Sequence, residues 1–308
     1  LSNVVWKERY VRDEPPQLNA ELELVCGGAE FPEGPVFDGS GAVLFSNCGA
    51  DYITRVTLDG EVERRWRAAS SDPEVFTFRR TNGLAVHCDG SLFACDFQRN
   101  AIVRMLPDGS SECFADRCDG VPFKGPNDLA CDPCCNLYFT DPAGSSRERP
   151  IGAVYRVECG TRQVRRVADG LAFPNGLAFT ADARWLYVCE SAENRVLRFS
   201  VTATGALANP EVFADLSTIG PGEPDGMALD ALGRLWIAHF GAHAVRVVAP
   251  DGSYVGSVEM PAPENDMGPT NVAFAGPGLR FLYITDPGCS ALLRMEPGVA
   301  GLPLFCAS

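Results

Sequence analysis

Histidine is scarce in this chain: His87, His239 and His243 are the only three among 308 residues. No H-E-x-x-H helix and no G-x-S-x-G turn occurs, so neither a zincin site nor an α/β-hydrolase nucleophile has a motif behind it. Positive charge is short as well. The chain has 26 Lys and Arg against 40 Asp and Glu, a formal net charge of −14. That excludes the clustered basic face a nucleic-acid partner needs. No apolar run reaches the roughly 18 residues of a membrane span, which argues against a membrane partner. Helical periodicity between strands is missing too, which removes a parallel α/β fold. The opening LSNVVWKERYVRD has neither an apolar signal core nor an initiator Met, so any leader is expected to have been removed or never present.

Turn formers and aromatics are plentiful. With 31 Gly, 23 Pro, 18 Phe, 7 Tyr and 4 Trp, the chain has material for many short strands around a packed interior. The acidic excess reads first as solubility, and second as a cleft that attracts a cation. Thirteen cysteines are scattered, mostly in apolar strand settings such as Cys95 and Cys189. Buried thiols act as small hydrophobes, and an odd count suits a reducing compartment, here the cytoplasm. Cys131, Cys134 and Cys135 form the one dense cluster; a zinc site there would need a second ligand pair, and none is evident in the sequence.

One pattern recurs along the chain. PEGPVF at 32–37, TNGLAV at 81–86, PNDLAC at 126–131, PNGLAF at 174–179, PDGMAL at 224–229 and PTNVAF at 269–274 share an apolar register. Their leading polar residues are Glu33, Asn82, Asn127, Asn175, Asp225 and Thr270, at steps of 49, 45, 48, 50 and 45 residues. Each unit continues as short apolar segments parted by turn signals such as Asp38-Gly39, Asp59-Gly60, Asp89-Gly90 and Asp108-Gly109. Four strands in each of six such units predict an all-β, six-bladed β-propeller as a single domain over 1–308, with an N-terminal arm at 1–20. The strand at 21–26 is expected to close the ring as the outer strand of the last blade, with 302–306 as a competitor for that place.

In such a ring the six leading residues converge on the mouth of one channel. Singly, Asn-Gly and Asp-Gly are turn dipeptides, and the glycine reads as the residue that lets a loop become a strand. In register, Glu33 and Asp225 with Asn127 and Asn175 offer two carboxylates and two amide oxygens. Two carboxylates brought together repel unless a divalent cation sits between them. All-oxygen donors suit Ca²⁺ first, with Mg²⁺, Mn²⁺ or Zn²⁺ as alternatives. Asn82 and Thr270 either line the channel or only shape it. His239, after the second strand of unit five, is a candidate substrate contact, and His87 is expected at a strand end beside a turn.

PEGPVFDGSGAVLFSN, KGPNDLACD with NLYFTDP, FPNGLAFT with LYVCES, and PDGMALD with RLWIAHF together resemble the SMP-30/gluconolactonase/luciferin-regenerating-enzyme family, over nearly all of 23–300. The resemblance implies a six-bladed propeller with one cation in its channel, held by Glu33, Asn175 and Asp225. It makes Asn127 a substrate contact that in some members also reaches the metal. It implies lactone hydrolysis, with organophosphate hydrolysis in related propellers. Asp225 is the family's usual general base, although a carboxylate held on a cation is a poor one; Asp141 is a second candidate. Sugar-lactone members often carry Arg two positions before the Asn of the third motif. Here that residue is Gly125, preceded by Lys124, which shifts the expected substrate toward a more apolar lactone or another ester-like molecule. Phe31, Phe173 and Phe240 near the rim fit that shift or serve as packing. A phosphotriesterase-like hydrolase, a lyase on the same scaffold, or a non-catalytic ligand-binding propeller with a structural cation are the alternatives.

Overall fold

A computed structural model describes residues 15–67, 76–261 and 265–305. Most of the predicted arm, 1–14, lies outside them. Six antiparallel sheets of four strands each form the six blades of a propeller. The innermost strands are Pro32–Phe37, Thr81–Val86, Leu129–Cys131, Pro174–Phe179, Glu223–Leu229 and Asn271–Ala275. Each is followed outward by its second, third and fourth strand, so chain order and spatial order agree in the first five blades. In the sixth, the outer strand is Glu23–Gly27, which pairs antiparallel with Ala291–Met295. The ring therefore closes with the expected N-terminal strand. Residues 302–305 do not compete: they cross the far mouth of the channel, where the Leu302 N–H donates to the Leu229 carbonyl at 2.8 Å. Residue 306 lies outside the described residues.

The sequence pattern explains the layering. Second strands such as Leu92–Asp96 and Leu137–Asp141 are buried on both faces, which is why they read as unbroken apolar runs. A blade is pressed between two neighbours, so both of its faces are core. Among the described residues the core accordingly divides into six wedges, one at each blade–blade seam. Phe93 and Ile102 of blade two meet Phe139 and Val157 of blade three. Trp236 and Val247 of blade five meet Ile284 and Leu293 of blade six. Fourth strands face solvent and show more polar, exposed positions. The Asp-Gly turns hold their glycines at positive φ, 74° at Gly39 and 80° at Gly90, as hairpin turns require.

Hydroxyls lock one blade to the next. Ser46 Oγ donates to the Asn82 carbonyl at 2.6 Å, Ser191 Oγ to that of Pro224 at 2.6 Å, and Thr270 Oγ1 to that of Pro32 at 2.9 Å. The last of these joins blade six to blade one and so holds the closed ring. The expectation of mostly buried cysteines fails: among the described residues only Cys95, Cys118 and Cys189 are buried. Half of the twelve described cysteines sit in loops rather than strands, where nothing covers them fully.

Candidate active site in the channel mouth

The innermost strands begin at one face of the ring, and their first residues build the site. Glu33, Asn175 and Asp225 are all buried, while Asn82 and Asn127 are half-buried. The Asn175 amide lies beside the Asp225 carboxylate and favours its charged form. Glu33 Oε2 accepts from the Gly34 N–H at 2.9 Å and from Asn271 Nδ2 at 3.3 Å. The Asn127 backbone is pinned on both sides, its N–H to the Thr140 carbonyl and its own carbonyl to the Gly83 N–H.

The next position of the register carries information the sequence pattern concealed. It reads Gly34, Gly83, Asp128, Gly176, Gly226 and Asn271. These glycines are not there to start strands. A Cβ on Gly226 would lie 1.9 Å from Asn271 Cγ, and one on Gly83 would lie 2.2 Å from Asp128 Oδ1. Gly83 and Gly226 make room for the two side chains that fill the channel axis, while a Cβ on Gly34 or Gly176 would lie 2.4 Å from the Asn82 or Asp225 carbonyl oxygen of the next blade. Asn271 Nδ2 reaches Asp128 Oδ2 at 3.4 Å, and Asp128 Oδ1 accepts from the Leu129 N–H at 2.8 Å. Asp128 and Asn271 thus form the floor of the site, and neither was singled out from the sequence. The signal was that both break a column of glycine.

Electrostatics mark this place as incomplete. Burial, then the charge of Asp128, pushes Glu33 up to about 8. Burial raises Asp128 to about 6. Burial, then the charges of Glu33 and Asp128, raises Asp225 well above the usual carboxylate range. Among the described residues no salt bridge engages any of the three, and Asp225 Oδ1 is buried with no hydrogen-bond partner. A buried oxygen without a partner, beside two more carboxylates, fits a divalent cation bound through oxygen. The Cys48 thiol also lies beside Glu33 and Asp225; burial and those two charges raise its pKa, whereas Arg80 opposes them.

The remaining sequence candidates fall into a wall around this centre. In the first four blades the residue ending the second strand holds the loop three positions before the register residue. Asn47 Oδ1 accepts from the Glu30 N–H, Asp96 from Arg79, Asp141 from Lys124 and Glu190 from Ala172, at 3.0, 2.6, 2.9 and 2.8 Å. Asp141 belongs to this repeated latch; burial raises its pKa, and its Oδ1 lacks a partner. His239 takes the equivalent place in blade five, against the Gly222 backbone. It is fully buried, its Nε2 lies 2.8 Å from Asn194 Oδ1, and burial, then the charge of Arg246, lowers its pKa to about 4. Here the ring is turned into the seam with blade four rather than toward a substrate. Thr270 is likewise spent on the Pro32 carbonyl, and it is its neighbour Asn271 that touches the carboxylates. Lys124 is exposed on the rim. A Cβ at Gly125 would sit 3.0 Å from Ala143 Cβ, so this loop has little room for the arginine it lacks. Phe31 and Phe173 stand at the rim with φ of 55° and 58°, Phe31 being exposed.

A family described as the SMP-30/gluconolactonase/LRE-like region matches residues 31–287. The chain belongs to this family. It is similar to the pentonolactonase of Haloferax volcanii, 31% identical over 246 residues that cover 72% of this chain and 78% of that one. It is also similar to the diisopropyl-fluorophosphatase of Loligo vulgaris, 26% identical across 95% of this chain and 97% of the relative. The solved structure of a gluconolactonase from Xanthomonas campestris superposes with a TM-score of 0.77 at 26% identity, covering 93% of this chain and 96% of that one. Among the described residues of this family member, no helix is long and apolar enough to cross a membrane.

Proposed function

We propose that this protein is a metal-dependent lactonase whose site is the channel mouth. The observation that carries the reading is the buried, unpaired set Glu33, Asp128 and Asp225, with one Asp225 oxygen open. Relatives named as lactonases support the reaction class. Glu33, Asn175 and Asp225 would hold the cation, with Asn127 at its edge and Ca²⁺ the first candidate. When bound, such an ion supplies Lewis acidity toward a carbonyl and makes a nearby water more acidic.

The chain's own residues do the rest. Asn127, fixed through its backbone on both sides, presents its amide N–H to the carbonyl oxygen as negative charge develops there. Asp225 accepts the proton of the attacking water, a role that requires its carboxylate to shift off the cation during the reaction. The water oxygen bonds to the carbonyl carbon, the ring C–O bond breaks, and the proton passes to the leaving oxygen, giving a hydroxy acid. Asn271 and Asp128 close the floor, so substrate enters from the rim and advances no further. With Gly125 where an arginine would clamp polar groups, and Phe31 exposed at the rim, an apolar lactone fits better than a sugar lactone.

Phosphotriester hydrolysis is the second reading, favoured by the diisopropyl-fluorophosphatase relative that spans nearly the whole chain. Turnover of sugar lactones, aliphatic lactones and phosphotriesters, measured on chelator-stripped protein and again after adding Ca²⁺, Zn²⁺, Mg²⁺ or Mn²⁺, tests both. Hydrolysis of an aliphatic lactone that returns only with a cation supports the proposal. Full turnover after exhaustive stripping refutes it.

A further inference from the structure

The face opposite the channel mouth carries a second cluster of metal-binding side chains. The turn 87–91, His-Cys-Asp-Gly-Ser, joins the first and second strands of blade two. The turn 132–136, Asp-Pro-Cys-Cys-Asn, is its counterpart in blade three. The ring sets these two turns side by side. Donor atoms of His87, Cys88 and Cys135 all lie within 4.8 Å of one another. The Cys88 and Cys135 sulfurs are 2.8 Å apart, and His87 Nε2 is 3.9 Å from Cys88 Sγ. The second ligand pair that the sequence did not reveal for the Cys131–Cys135 region is therefore supplied by the neighbouring blade.

We infer that His87, Cys88 and Cys135 form a binding site for a thiophilic divalent ion, zinc foremost, separate from the channel. Two thiolates and a neutral imidazole are borderline-soft donors, unlike the all-oxygen set of the channel, and they neutralise a 2+ ion without leftover charge. Binding displaces one proton from each thiol to solvent. On a tetrahedral zinc with Zn–S bonds near 2.3 Å, two sulfurs stand about 3.8 Å apart and nitrogen and sulfur about 3.6 Å. The sulfurs need to open by about 1 Å from their present separation, a side-chain rotation rather than a movement of blades.

The surroundings orient the imidazole for this role. Asp89 Oδ1 lies 3.0 Å from His87 Nδ1, and Arg104 in turn pairs with the other Asp89 oxygen. A carboxylate on Nδ1 keeps the ring proton there; Nε2 lies 3.3 Å from the Cys135 carbonyl oxygen and would exchange that contact for the metal. Phe93 packs edge-on against the ring, 5.3 Å between centroids. Cys88 is exposed, which leaves the fourth coordination position to water. The equivalent turns of the other four blades, 38–41, 180–184, 230–234 and 276–280, contain neither Cys nor His. Among these six turns, thiols therefore occur only on one adjacent pair.

The test uses full-length protein kept reduced with a phosphine and titrated with Zn²⁺ or Co²⁺ alone. The double variant Glu33→Gln/Asp225→Asn removes channel binding; it is expected to retain about one zinc per chain and, with Co²⁺, to develop a thiolate-to-cobalt charge-transfer band. Cys88→Ser/Cys135→Ser, made in the same background, should lose both. Asp89→Asn should keep the band but weaken zinc by roughly 10- to 100-fold, an effect on metal affinity that a merely structural aspartate would not produce. Cys88→Ser/Cys135→Ser in the native chain should keep its turnover, which shows that it folds. Failure of the channel double variant to bind either ion with a sulfur signature overturns the proposal, as does equal zinc binding by the cysteine variant. So does a Cys88–Cys135 disulfide, lighter by two hydrogens, in protein that binds no zinc once reduced.

Discussion

The two halves of the channel are lined by the same six strands and have opposite characters. At the mouth, Glu33, Asp128 and Asp225 are buried without a countercharge. Beyond the Asp128–Asn271 floor the lining turns apolar, with Val36, Phe179, Leu229 and Phe274, and the C-terminal residues Leu302 to Phe305 lie across the far opening. The lower half obeys the ordinary rule that apolar surface is removed from water. The upper half breaks it, and a sequence that breaks a folding rule at one place in a regular repeat marks the place where function sits. Stability and activity should therefore separate along the channel axis.

The sharpest way to break this contrast is Asp225→Ala. Turnover should fall to background together with loss of the tightly held cation, and Asp225→Asn should do the same while making the stripped protein more stable, because a buried uncompensated carboxylate has gone. Steady-state assays, metal content and denaturant melts check the three parts. Asn127→Ala comes next, with kcat reduced by about 10²- to 10³-fold while the cation is retained. In the lower half the effect should reverse. Phe274→Ala removes a buried ring that packs edge-on to Trp236, and should cost about 3–5 kcal/mol of stability with near-normal turnover per folded molecule.

The smallest effect is on pH dependence. In stripped protein Glu33 is held at about 8 and Asp128 at about 6, against ordinary values of 4.5 and 3.8. Between those limits the folded state binds more protons than the unfolded chain. Stability is thus greatest below the ordinary values and declines as pH rises toward the shifted ones. Added Ca²⁺ should flatten that decline and release protons at neutral pH, which thermal melts and pH-stat titration can follow. A stripped protein that gains stability over the same range would contradict the charge arrangement of the mouth.

Much of this was legible in the sequence, for a physical reason. Each blade needs the same entry geometry, so the strand starts recur every 45–50 residues and place Glu33, Asn175 and Asp225 in one ring. What stayed hidden lay in contacts between blades. Gly176 and Gly226 look like turn residues until the neighbouring strand is seen to pass 2.4 and 1.9 Å from where a Cβ would be. Asp128 and Asn271 are visible only as the exceptions to that glycine column. Asp141 and His239 carry catalytic side-chain types, yet they serve the latch that fixes the entry loops, a role that appears once Asn47, Asp96 and Glu190 are seen doing the same. Cys135 is 47 residues from Cys88 and joins His87 and Cys88 only because blade two meets blade three.

Under the proposed function, one cation completes the mouth of the channel. Anomalous diffraction from crystals soaked in Mn²⁺ tests it most directly. A single strong peak among Glu33, Asn175 and Asp225, absent in Asp225→Ala, is the expected result. A peak elsewhere with none among those three residues would contradict it.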